Sequence, residues 1–312
     1  MAFRLTRSET VGAAIQRVLG EELTAARASL REAADAPAAS PGHDAGIHEA
    51  RKSIKKLRAM MRLLEPRFEQ LARDERAVLG EAGRSLSGAR DAAAVVEILD
   101  VLAGQTTSRT ALRSLTALRR RIVVRQAELI DVEPALKTLA EVSARLSEWP
   151  SLPDSFWGIG DGLQATYRRG RKALAAVAAN PAAETFHALR KRVKEHWYQV
   201  RLLEGAWTEA EPREKELREL QECLGHEHDL TVLEQSATLV PTLQAVVARA
   251  RREYRSQAVA IAAVLFAEKS RAHTERVQGH WQEWREHRPM SGRHVARKAP
   301  ANAQTRHRRQ VA

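Results

Sequence analysis

The eleven residues from His48 to Arg58 read HEARKSIKKLR, one histidine with five cations, and the eleven from His187 to Trp197, HALRKRVKEHW, begin in the same way. These residue types suit one chemistry, the holding of anions. Arginine offers a planar fork to phosphate oxygens, lysine a mobile point charge, and histidine a group at the edge of ionisation. On a helix turning ~100° per residue, His48, Arg51, Lys52, Lys55, Arg58 and Arg62 share one stripe. Ile47, Ala50, Ile54, Leu57, Met61 and Leu64 form the adjoining apolar face. The second segment repeats this with His187, Arg190, Lys191, Lys194 and Arg201 beside Phe186, Leu189, Val193, Val200 and Leu203. As wheel positions, the two stripes hold no acid. Like charges three or four residues apart cost a few tenths of a kcal/mol per pair, and an ordinary solvent face relieves that cost by mixing signs. Two acid-free stripes, each headed by a histidine, therefore predict an anionic partner rather than two solvated surfaces. A histidine near a helix N-terminus and among cations is expected to be neutral without ligand and to gain a proton when a polyanion arrives. No carboxylate accompanies either histidine on its stripe, so catalysis by them is not expected.

The elements that carry these stripes are helices. Apolar residues recur with helical period almost to residue 287, and no alternating strand pattern appears. Breaks fall at Ala36–His43, Gly104–Ser108, Asp131–Pro134, Trp149–Ser155, Asn180–Pro181, Gly205–Pro212 and around Pro241, where Pro, Gly or small polar residues stop helices. Helices are predicted over 8–34, 45–65, 67–88, 91–103, 109–130, 134–149, 157–178, 182–204, 212–224, 229–239, 241–269 and 270–286. Their order repeats. Residues 47–55 match 186–194 at a constant offset of 139, which continues into the identical RLLE of 62–65 and 201–204. Val11–Gln16 resembles Ile159–Gln164, and the polar turns LSGARD and LGHEHDL correspond at Asp91 and Asp229, one residue out of step with the offset of 139. Two diverged helical halves, 1–150 and 151–287, are expected to meet near Pro150–Pro153, followed by a disordered basic tail over 288–312.

Composition bounds the partners. Net charge is +12, but the tail alone carries six Arg and one Lys with no acid, so the body is only mildly basic and must concentrate its charge on one surface. Hydrophobic content of 44% supplies real cores, and aromatics at 4% leave Ala, Leu, Arg and Glu, all strong helix formers, to dominate. No run of about 18 apolar residues predicts a membrane span, and MAFRLTRSETVG lacks the apolar region of a signal peptide. The single cysteine, Cys223, forms no internal disulfide and fits a reducing, cytoplasmic setting, where it is expected to be a buried small side chain.

HEARKSIKKLRAMMRLLEP, FHALRKRVKEHWYQVRLLE, YRRGRKAL from Tyr167 and the two polar turns together resemble the CHAD family, the helical domain named for its recurring histidines. The resemblance covers nearly residues 1–287. It implies an all-α fold of two pseudo-symmetric antiparallel bundles flanking a basic groove. It also implies binding of inorganic polyphosphate without catalysis, often at polyphosphate granules. Carried over by position, the groove would hold His48, Arg51, Lys52, Lys55, Arg58 and Arg62 from the first half and His187, Arg190, Lys191, Lys194 and Arg201 from the second. Tyr167, Arg168, Arg171 and Lys172 fit the family's basic segment before the second histidine helix, and Arg90 and His228 occupy matching places at the turns. The first half has no clear YRRGR equivalent, and Trp197 stands where the first repeat has Arg58.

Other signals are weaker. His226, His228 and Asp229 have the look of a metal set, but the first half keeps only the aspartate, and helix N-capping accounts for it. No cofactor is expected. Glu209–Arg213 faintly echoes an acidic triphosphate-enzyme signature without its strands, and no phosphate-cradling G-x-x-x-x-G-K-[ST] loop is present. The alternative partner is nucleic acid or another general polyanion, which Trp197 and Tyr198 could bind by stacking and the tail by charge. The RHRR run at Arg306–Arg309 does not discriminate among polyphosphate, nucleic acid and acidic membrane.

Overall fold

The computed structural model describes residues 3–37, 40–123, 130–146 and 148–286, with side chains described at all of these except 88–93 and 123. Eleven α-helices and no strand occur among the described residues. They are α1 (Val11–Asp35), α2 (Pro41–Leu64), α3 (Glu69–Ser85), α4 (Gly88–Gln105), α5 (Arg109–Val123) and α6 (Glu133–Leu146). Then follow α7 (Trp157–Ala179), α8 (Ala183–Leu202), a 3-10 turn at Glu204–Ala206, α9 (Ala210–Ser236), α10 (Pro241–Leu265) and α11 (Ser270–Glu286). The expected tail, and the side chains of Arg90 and Asp91, lie outside the described residues.

Two of the differences from the sequence reading bear on the site, each for a local reason. Helix α2 starts at Pro41 rather than 45, because Ser40 caps it, accepting from the His43 amide at 3.2 Å, and Pro at N1 gives up no needed hydrogen bond. His48 is thus two turns inside α2, and the helix-terminus effect expected for it does not apply. Helix α9 runs unbroken through Gly225, where two helices and a polar turn were expected. Leu217, Leu220, Leu224, Glu227, Leu230 and Leu233 are all buried at three- and four-residue steps, so one face spans the glycine and its packing outweighs the glycine's cost. Asp229 is consequently a mid-helix residue and not an N-cap.

The main core draws on α1–α3 and α6–α8, on the N-terminal half of α9, on the C-terminal half of α10, and on α11. A second core joins Val95, Leu99 and Leu115 of α4 and α5 to Leu230, Leu233 and Leu243 of α9 and α10. Both cores cross residue 150. The pairing that matters for function is α2 with α8, the two histidine helices, which pack directly on each other and both on α7. Gly162 of α7 permits this: a Cβ there would overlap the backbone carbonyl of Leu63. Gln199 of α8 fastens the crossing, donating to Thr166 Oγ1 at 3.0 Å and to the Ala59 carbonyl at 3.4 Å. Helix α3 lies along α2, and α9 along α8.

Candidate polyanion site

Where α2, α3 and α8 meet, with α9 contributing one side chain, they enclose a cavity of about 400 Å³. Helix α2 supplies Arg51, Lys55 and Arg58, and α8 supplies His187, Arg190, Lys191, Arg192 and Lys194. Helix α3 supplies Arg76 and Arg84, and α9 supplies His228. Among the described residues, nine Lys and Arg side chains therefore face one cavity with a single lining carboxylate, Glu195. Arg51 is braced by donating to the Gly83 carbonyl at 2.7 Å, which ties α2 to α3. Arg192 is braced on Glu195 at 2.7 Å. Arg58 Nε is buried with no hydrogen-bond partner among the described residues.

The charges act on one another across the cavity. Burial lowers the Arg58 guanidinium, and Arg84, Arg62 and Arg192 lower it further, while Glu195 partly offsets them. Shielding from water lowers the Lys191 ammonium, with Arg192 and Arg58 adding to it. The His187 and His228 rings are 4.9 Å apart. Burial first, then Lys191, Arg190 and Lys194, pushes His187 down. His228 falls to about 4, through burial and then Arg190, His187, Lys194 and Lys191. Both imidazoles are neutral at neutral pH. Such crowding of like charge is unfavourable in isolation, and a concave wall of low dielectric concentrates the resulting field on whatever enters.

Seven of the expected site residues line this cavity: Arg51, Lys55, Arg58, His187, Arg190, Lys191 and Lys194. The others do not. Lys52 is exposed and pairs with Glu49 at 2.9 Å, and His48 is half-buried outside the lining. Arg62 is buried at 7% exposure, where α7 and α8 cover the last turn of α2, and it pairs with Glu65 and with Glu195 at 3.5 Å. Tyr167 is a core residue. Its hydroxyl donates to the Leu265 carbonyl at 2.9 Å, and its ring stacks on His273 at 3.9 Å. Arg168 and Lys172 are exposed and Arg171 half-buried, all outside the cavity. Arg201 is turned toward Glu214, at 3.7 Å, and over the Trp197 ring. The acid-free character of the second stripe also fails, because Glu195 stands one turn beyond Lys191.

Four lining residues were absent from the expected groove or only weakly placed there: Arg76, Arg84, Arg192 and His228. Arg76, Gly80 and Arg84 stand at i, i+4 and i+8, a basic face with a gap, and that spacing was the available signal. It was hidden by Glu69, Asp74, Glu75 and Glu81, which balance α3 overall. The candidate metal set disperses: His226 lies against Tyr254 at 4.7 Å while His228 faces His187. Among the described residues no three His, Cys, Asp or Glu side chains group as metal ligands. Cys223 is half-buried. No helix among the described residues is long and apolar enough to cross a membrane.

An all-helical chain that converges cations from three helices is the class that the fold and cavity define. The family model described as CHAD domain matches residues 3–74 and 23–238, together more than half of the chain, and the chain belongs to that family. The crystal structure of the CHAD domain from the plant Ricinus communis is similar, at 18% identity and a TM-score of 0.49, covering 86% of this chain and 95% of that one. No curated protein matches.

Proposed function

We propose that the protein binds inorganic polyphosphate in the α2–α3–α8 cavity and performs no chemistry on it. The supporting observation is the lining itself, nine cations against one carboxylate among the described residues, enclosing about 400 Å³. Polyphosphate is a flexible linear anion with no bases to read, so a track of forked and point-charge donors satisfies it. Membership of the CHAD family supports the same reading. The feature that favoured nucleic acid is weakened: Tyr198 is buried at 5% exposure, and Trp197 is packed on the core beneath Arg201. Tyr198 is thus closed to a base, and Trp197 is half-buried with Arg201 over its ring. In a cell the same binding would hold the protein at polyphosphate granules in the cytoplasm.

The test is a competition titration at physiological salt. Labelled long-chain polyphosphate is bound to the full chain and to a chain ending at residue 287, and single-stranded RNA and duplex DNA are added at equal phosphate. The proposal expects neither nucleic acid to displace the label and the shortened chain to bind as well. Equal displacement by RNA, or loss of binding with the tail, would make the protein a general polyanion binder. Phosphate release with Mg²⁺ is expected to stay at background.

A further inference from the structure

Among the described residues Glu195 is the one carboxylate in the cavity lining, and it stands where the cations of several helices converge. Its carboxylate accepts from Arg192 of α8 at 2.7 Å and lies 3.5 Å from Arg62 of α2. Its charge also reaches Arg58 of α2, Arg76 of α3 and Arg169 of α7, raising each against burial. One anion cannot neutralise so many cations. It does sit among cations of four helices, where a phosphate's oxygens would otherwise be drawn.

We infer that Glu195 is a built-in anion that sets the ligand selectivity of the cavity, excluding compact phosphates from the point where the cations converge and leaving the extended track to a polymer. A compact anion such as triphosphate binds best where several cations meet within a few ångströms, and that place is filled. A long chain draws its binding from cations spread over α2, α3 and α8, most of them away from Glu195. The carboxylate therefore weakens compact anions more than polymers. The polymer arm of this inference rests on the polyphosphate reading above; the triphosphate arm does not.

The experiment compares wild type with Glu195→Gln, titrating inorganic triphosphate and long-chain polyphosphate at equal phosphate, with circular dichroism on both proteins. Removing one charge beside a bound phosphate should tighten triphosphate about tenfold and the long chain less than about threefold. Equal tightening of both, no change in either, or weaker triphosphate binding would overturn the inference. If wild type binds no long-chain polyphosphate, the proposed function fails, while a tenfold gain for triphosphate still supports the role of Glu195. Should Glu195→Gln lose its helical signal, Glu195→Asp keeps the charge but withdraws it from Arg62. A selective triphosphate gain of about threefold is then expected, and no gain overturns the assignment.

Discussion

His187 and His228 face each other inside a ring of cations, and burial together with those cations keeps both neutral. A polyanion in the cavity reverses the local field and raises both groups, so binding takes up protons. Affinity for polyphosphate should therefore rise as pH falls from 7 toward 5, and His187→Gln/His228→Gln should flatten that slope, read by titration at each pH. Equal slopes in the variant and wild type would remove these histidines from the site. Arg62 belongs to a different account. It is buried against Glu65 and Glu195 and does not line the cavity, so Arg62→Ala removes a buried charged contact, although Arg73 and Arg169 still reach Glu65 and Arg192 still reaches Glu195. Losing a buried charge-assisted hydrogen bond costs roughly 1.5–3 kcal/mol, and urea unfolding should show a loss of that size. A loss below about 1 kcal/mol, the range of a surface pair, would return Arg62 to the exposed stripe.

At the scale of elements, α9 is the sharpest difference between pattern and packing. Gly225 reads as a stop, yet the six-residue buried face from Leu217 to Leu233 carries the helix through it. A Cβ at Gly225 would meet nothing within 4 Å. Gly225→Ala should thus stabilise the protein by about 0.5–1 kcal/mol in a urea titration, the ordinary helix-interior difference. Destabilisation would mean that a turn exists there. The other helices were legible from their amphipathic period, and some also from a start signal, as Thr10 gives for α1, Ser40–Pro41 for α2 and Pro241 for α10. The site was legible only where charge sat on the repeated helices. A wheel shows which residues share a face, and for Arg51, Arg58 and Lys191 that was enough. It does not show which neighbour covers the face. Arg62 and Tyr167 were therefore placed in a groove although α7, α8 and α11 enclose them, and Arg76 and Arg84 went unread behind the acids of α3.

For the molecule as a whole, the cations that line the cavity are separate from buried neutral groups elsewhere that bear on stability. His196 is fully buried and held well below its ordinary value by burial, Arg213 and His273, and His273 is pushed down to about 3 by burial and Arg213. Each is depressed below the unfolded value of about 6.5. The unfolded chain thus binds more protons at mildly acid pH, and the stability these groups give is complete above that value and lost as pH falls toward the folded values. Each such histidine contributes a slope of about 1.4 kcal/mol per pH unit in that window. The ligand-free urea midpoint should be lower at pH 5 than at pH 7; an unchanged midpoint would contradict the burial of His196 and His273.

The central claim is that cations from two different helices act on one polyphosphate chain, and Arg58 of α2 with Lys191 of α8 tests it most directly. Long-chain polyphosphate would be titrated into wild type, Arg58→Ala, Lys191→Ala and the double variant at physiological salt, with the helical signal followed by circular dichroism. Each single change should weaken binding about tenfold and the pair about a hundredfold, the scale of one charge-assisted contact per side chain, with the fold intact. Because both side chains sit among like charges, the ligand-free melting temperature should hold or rise. A correctly folded double variant that binds within about threefold of wild type, far less than two lost charged contacts, would contradict the assignment of this cavity.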